Sequence, residues 1–288
     1  KISDWELDFY SRPIIEANGK KRWELIICST RSYKTEDVFL WNKQCPANEV
    51  NSVWLTNALN EAISEAKKQG WEKPSIVRFW RSSMKSIIKK SLEAINIEAI
   101  VSRRTYNLLD RIEFLEKEIY PQEKGYVRGV LAPTFTSKME NLPTPLPEAV
   151  RGDALTISEI SIGELKSAEN WPMEFGDIFP IQQDLDDNYL VPGLRLFSKD
   201  RSLALSAWFS CLEPIKLTIS KNQLILEASE DDKWLVTDLP EKDANILSTK
   251  FLENKKNSFG YQFISIQSTP YVEKFAGFWI LRDIELIS

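Results

Sequence analysis

The chain of 288 residues contains no histidine. That absence excludes Ser-His-Asp and Cys-His catalysis, a histidine general base and most zinc sites. Cysteine is scarce. Cys28, Cys45 and Cys211 are odd in number and far apart, which argues against a disulfide framework and fits a reducing compartment. No apolar run approaches the ~20 residues that span a bilayer. The opening Lys1-Ile2-Ser3-Asp4-Trp5 lacks the charged-then-apolar pattern of a secretory signal. It also lacks Met, so a trimmed start codon, tag or transit peptide is expected. Walker loops, GxGxxG, CxxC pairs, metal-spaced acidic loops and ribonucleoprotein aromatic signatures are missing, and no cofactor is implied.

What is present is a globular composition, 43% hydrophobic and 27% charged. The net charge of −5 conceals an asymmetry. Residues 1–130 hold 22 Lys/Arg against 18 Asp/Glu, and residues 131–288 hold 15 against 24. The acidic balance disfavours nonspecific coating of nucleic acid and leaves room for a local basic site on the first half. Leu131–Pro147 carries four prolines without apolar periodicity. It reads as a linker over 131–150 between domains at 1–130 and 151–288.

In the first half Trp5–Tyr10, Lys21–Ser29 and Asp37–Trp41 read as strands, with Asn18-Gly19 as a hairpin turn. Asn51-Ser52 offers a cap to a helix over Val53–Gln69, whose apolar residues recur at i, i+3, i+4, and Gly70 ends it. Strands over Ser75–Trp80 and Ile97–Ser102 then alternate with helices over Ser83–Ile95 and Thr105–Ile119. The order βββαβαβα predicts a three-layer α/β domain with a mixed, ribonuclease-H-like sheet, an analogy of topology alone. For the second half the expectation is α+β, mostly antiparallel sheet with helices. Its strands are expected at Leu194–Ser198, Leu203–Cys211, Ile215–Ile219, Leu224–Ala228, Trp234–Thr237 and Tyr261–Gln267. Asp243–Asn254 and Thr269–Leu281 read as helices.

Arginines gather where the parallel strands of the first domain should end: Ser11-Arg12-Pro13, Trp80-Arg81-Ser82-Ser83 and Ser102-Arg103-Arg104-Thr105. Ligands of α/β sheets bind outside the carboxyl ends of strands, and guanidinium forks beside helix starts suit phosphate. Arg12, Arg78, Arg81, Arg103 and Arg104, extended along the next helix by Lys85 and Lys89, form the candidate phosphate site. The bland alternative is that each arginine caps carbonyls or pairs with a carboxylate. Two-metal nuclease chemistry is a further alternative, with Asp8 on the first strand, Glu61 or Glu65, and Asp110 or Glu113 as ligands. Against it, Trp80-Arg81-Ser82 puts a cation where an acid is needed. On a strand covered on both faces, Asp8 requires a partner, and a nearby arginine is the simplest one.

Several blocks resemble the Tab/Atab family of chloroplast and cyanobacterial proteins. They are Trp5-Glu6-Leu7-Asp8-Phe9-Tyr10-Ser11-Arg12-Pro13, Arg78-Phe79-Trp80-Arg81, Ser102-Arg103-Arg104-Thr105, Pro192-Gly193-Leu194-Arg195 and Ala276-Gly277-Phe278-Trp279-Ile280-Leu281-Arg282. The resemblance implies a noncatalytic protein that binds A/U-rich single-stranded RNA in a message leader. It also implies a role in translation or assembly of photosystem subunits, with ribosome or assembly proteins as further partners. The competing reading is a protein-binding scaffold without RNA contact, docking through the acidic second half. With no transit peptide visible, a cyanobacterial cytoplasmic member is expected, or a stromal one if the source is a plant or alga.

Overall fold

The computed structural model describes residues 1–33, 35, 37–128 and 142–284. The chain divides into two compact units, Lys1–Lys138 and Met139–Ser288.

In the first unit, β1 (Trp5–Ile15), β2 (Lys21–Ser29) and β3 (Leu40–Cys45) form an antiparallel meander. Gly19, at φ +78°, makes the first turn, where a side chain would be strained. Helix α1 (Ser52–Lys68) follows, its cap supplied by Asn51, which accepts from Trp54 N–H at 2.9 Å. Gly70 (φ +81°) stops it. Then come β4 (Ile76–Phe79), α2 (Lys85–Glu93), β5 (Glu98–Val101) and α3 (Tyr106–Phe114). The sheet order is β3-β2-β1-β4-β5, with β1, β4 and β5 parallel. The expected mixed sheet with three parallel strands side by side is therefore observed.

Alternation along β1 sorts its side chains between two environments. Trp5, Leu7 and Phe9 join Leu55, Leu59, Ile88 and Leu92 of α1 and α2 in one core. The opposite face is covered by α3, where Ile26 and Cys28 meet Leu108 and Ile112. Glu6 and Asp8 point to that second side.

The second unit contains β6 (Thr144–Pro145), β7 (Ala154–Ser161), α4 (Ile162–Lys166), β8 (Met173–Asp177), β9 (Leu190–Phe197) and α5 (Ser202–Leu212). It continues with β10 (Pro214–Ser220), β11 (Gln223–Ala228), β12 (Asp232–Asp238), α6 (Glu241–Asn257), β13 (Tyr261–Gln267) and β14 (Phe275–Arg282). Two sheets result, β10-β11-β12-β6 and β7-β9-β13-β14-β8. Both are mixed: β12–β6, β13–β9 and β14–β8 are parallel, and the other pairs are antiparallel. The α+β class holds, with more parallel pairing than expected.

Two elements of this unit differ in kind from the sequence expectation. The run read as a strand over Leu203–Cys211 is helix α5, and the run read as a helix over Thr269–Leu281 contains strand β14. Most of the expected linker, residues 131–141, lies outside the described residues. Its remainder is built into the second unit: β6 pairs with Trp234 and Leu235, and Leu146 is buried in the core.

Candidate nucleic-acid interface

The carboxyl ends of β4 and β5 lie together. Phe79 pairs with Val101, and Ser102 N–H donates to Phe79 O at 2.9 Å. Trp80-Arg81 and Ser102-Arg103-Arg104 therefore leave the sheet as neighbours. Arg12 departs from the expected place. β1 runs on to Ile15, with a register shift between Ser11 and Ile15, so Arg12 belongs to the strand and not to a loop beyond it. Its side chain is wholly buried, with Nη2 2.9 Å from Asp8 Oδ2 and Nε 3.6 Å from Glu24 Oε2. A residue so enclosed cannot meet a phosphate.

Asp8 is the centre of this interior. Arg81 donates to it through Nε (2.5 Å to Oδ1) and Nη2 (3.1 Å to Oδ2). Burial by itself would raise the Asp8 carboxyl, but Arg12 and Arg81 overcome that and hold it below the usual range. The Arg81 guanidinium also lies against two rings, 4.0 Å from the Tyr10 centroid and 4.1 Å from that of Trp80. The arginine partner expected for Asp8 is present twice. The aromatic contacts were not legible, because Tyr10 lies on β1 and Arg81 beyond the end of β4, far apart in sequence.

The other sequence-selected cations fall into two groups. Arg104 is buried, its Nη1 donating to Tyr106 Oη at 3.3 Å, and Arg78 is half-buried and paired with Asp4 at 2.7 Å. Arg103 and Lys85 are half-buried and reach solvent, and Lys89 is exposed one turn beyond Lys85 on α2. What was read as one row of arginines is thus an interior charge network, and Lys85, Lys89 and Arg103 carry the accessible charge.

Neither the 3-10 turn Ser82–Met84 leading into α2 nor Thr105 before α3 supplies a side-chain cap. At α3 the carboxyl group of Glu6 takes that role, Oε2 accepting from Leu108 N–H at 2.7 Å. An acid already occupies this helix end, so it is closed to phosphate. Burial pushes Glu6 up to about 8, against the pull of that hydrogen bond.

The nuclease alternative fares poorly on geometry. Asp8 faces α3, whereas Glu61 and Glu65 lie on α1 beyond the opposite face of the sheet. Glu61 pairs with Lys43, Glu65 with Lys68, Asp110 with Arg31 and Glu113 with Lys117. Among the described residues no cluster of His, Cys, Asp and Glu could hold a metal ion.

The second unit holds a buried charge cluster that sequence reasoning missed. Lys255 Nζ lies 2.6 Å from Asp283 Oδ2 and donates to Leu217 O at 3.0 Å, and Lys216 Nζ lies 3.3 Å from Asp283 Oδ1. Burial lowers Lys255, and the two lysines hold Asp283 below its ordinary range despite its own burial. Lys255 lies one residue beyond the helix expected over Asp243–Asn254 and inside the observed α6, and lysine spacing does not separate a buried position from a solvated one.

Comparison with known proteins gives a consistent result. A family model described as "RNA-binding protein Tab2/Atab2 N terminal" matches residues 4–114, and "RNA-binding protein Tab2/Atab2, C-terminal domain" matches 133–282. "Protein TAB2 homolog, chloroplastic" of Zea mays is 33% identical over 295 residues, covering 98% of this chain and 72% of that protein. The Arabidopsis thaliana protein of the same name is 29% identical over 293 residues, covering 98% and 75%. Among solved structures, a chain from the simian T-cell lymphotropic virus intasome in complex with PP2A regulatory subunit B56 gamma matches 42% of this chain and 40% of its own length. Its 12% identity and TM-score of 0.29 carry no argument.

Proposed function

The chain belongs to the Tab2/Atab2 family of RNA-binding proteins, and from that premise we propose that it binds A/U-rich single-stranded RNA in the leader of a photosystem message. Binding would serve translation or assembly of the encoded subunit, with ribosomal or assembly proteins as further partners. The observation that carries the reading is the match of both family models. The accessible cations Lys85, Lys89 and Arg103 are its contact residues, gathered beside the carboxyl ends of β4 and β5. Arg12, Arg81 and Arg104 serve the site indirectly by holding that end of the sheet together. The working compartment is the chloroplast stroma in a plant or alga, in keeping with relatives named chloroplastic, or the cytoplasm in a cyanobacterium.

The test is titration of a labelled A/U-rich strand into the full chain and into a folded variant with Lys85, Lys89 and Arg103 all changed to alanine. The reading expects clearly weaker binding by the variant. Equal affinity would remove these residues from the interface, and no binding by either protein would remove the RNA reading itself.

A further inference from the structure

Strand β6 is short, and a side chain takes over where it stops. Pro145 is level with Leu235 of β12, and Leu146 N–H donates to Leu235 O at 3.0 Å. In a parallel pair the next bond would run from the β12 backbone to Leu146 O. Arg151 takes that acceptor, its Nε donating to Leu146 O at 2.7 Å. Pro147 and the 3-10 turn Glu148–Val150 bring the chain back far enough for this contact. The Arg151 guanidinium is thereby fixed at the end of β6, level with Val236 and Thr237 of β12, and Asp238 follows on the same strand.

These residues line a cleft of about 300 Å³, with an aliphatic floor of Leu146, Leu155, Leu196 and Val236 and a rim carrying Arg151 and Asp238. Small-molecule sites run from about 300 to 1,000 Å³ and are mostly apolar, with a few placed polar groups. Leu155 is 38% exposed, an apolar side chain left at the mouth. Arg151 and Asp238 are both exposed, and Asp238 accepts from Gln223 Nε2 at 3.1 Å. Among the described residues neither forms an ion pair, with the other or with any third group. With Nε engaged at Leu146 O, the two terminal nitrogens of Arg151 remain for a ligand. The rim thus carries one charge of each sign. It selects neither a cation nor an anion, and it complements a ligand that bears both.

We propose that this cleft binds a small aliphatic zwitterion, a branched-chain α-amino acid, with its carboxylate on Arg151, its ammonium on Asp238 and its side chain on Leu155 and Leu196. The fork of terminal guanidinium nitrogens suits a carboxylate, and the aliphatic floor gains from covering a branched chain. Both rim charges, unpaired in the free protein, then meet an opposite one. The site stands on the second unit alone and does not depend on where RNA binds.

Calorimetric titration of the full chain with L-leucine, isoamylamine and isocaproate tests it. The two analogues keep the branched chain, and each lacks one of the charges. Leucine is expected to bind with a Kd of about 1 mM or tighter, and each analogue at least about tenfold more weakly. Arg151→Met should weaken leucine about tenfold and leave isoamylamine unchanged. Asp238→Asn should weaken leucine to a similar degree and leave isocaproate unchanged, the pattern of two separate charge contacts. Circular dichroism with a thermal melt confirms that each variant is folded. If one is not, the analogue series on the unaltered chain decides the matter. A weaker leucine Kd, an analogue that binds as tightly as leucine, or leucine affinity indifferent to either folded variant would overturn the proposal.

Discussion

Arg81 grips Asp8 across the junction of two parallel strands, Nε 2.5 Å from Oδ1 and Nη2 3.1 Å from Oδ2, while the Tyr10 and Trp80 rings lie against its guanidinium. Asp8 also holds Arg12, so one carboxylate is shared by two buried cations. Removing it leaves both without their main counter-charge. Asp8→Asn should therefore destabilise the first unit by about 3–5 kcal/mol, the usual scale for breaking a buried pair from one side. Urea unfolding of the full chain followed by tryptophan fluorescence measures it. A loss below about 1 kcal/mol, the ceiling for surface pairs, would show that the network is solvated.

Glu6 makes stability depend on pH with a sign opposite to that of most carboxylates. Burial raises its folded-state value to about 8, whereas the unfolded chain releases the proton near the ordinary 4.5. Between those limits the folded state holds more protons than the unfolded state. The contribution of this group to stability accordingly falls as pH rises from about 4.5 to about 8, and is flat above. Glu6→Gln keeps an acceptor for Leu108 N–H and should flatten that part of the curve. An unchanged slope in denaturant melts of the variant would mean that Glu6 is ionised in the native protein at neutral pH.

RNA binding through Lys85, Lys89 and Arg103 has a signature in salt. Each phosphate contact on a single strand contributes about 0.7 to the slope of log K against log salt. The triple alanine variant should show a slope shallower by about 2 in fluorescence anisotropy titrations, on the same scale. Weaker binding with an unaltered slope would point to lost shape and not to lost phosphate contacts.

Gly260 joins α6 to β13 at φ +81°, and a Cβ there would lie 2.4 Å from Asp283 O. Asp283 N–H donates to Gly260 O at 2.8 Å, and the Asp283 carboxylate holds Lys255 and Lys216. Gly260→Ala therefore strains the turn and displaces the buried ion cluster together. The expected result is a melting temperature lower by several degrees, since about 1 kcal/mol moves a domain of this size by about 2–4 °C. A melt unchanged within error would show that the backbone of Asp283 moves aside without cost.

Sequence alone determined the elements whose pattern is unambiguous. The period of α1, its Asn51 cap, the Asn18-Gly19 turn and the βββαβαβα order follow from local chemistry, and the order brought β1, β4 and β5 together. Alternation on β1 also implied that Asp8 needs a cation. Tertiary structure decided the rest. Leu203–Cys211 and Thr269–Leu281 are apolar runs without a clear period. The first became α5 and the second β14, a strand between two others in a five-stranded sheet. Arg12 was placed by the extra length of β1, which carried a residue read as a loop arginine into the interior. Which arginines face solvent is a property of strand ends and covering helices, and single-residue chemistry does not contain it. A guanidinium suits a buried carboxylate as well as a phosphate, and only the packed sheet distinguishes the two uses.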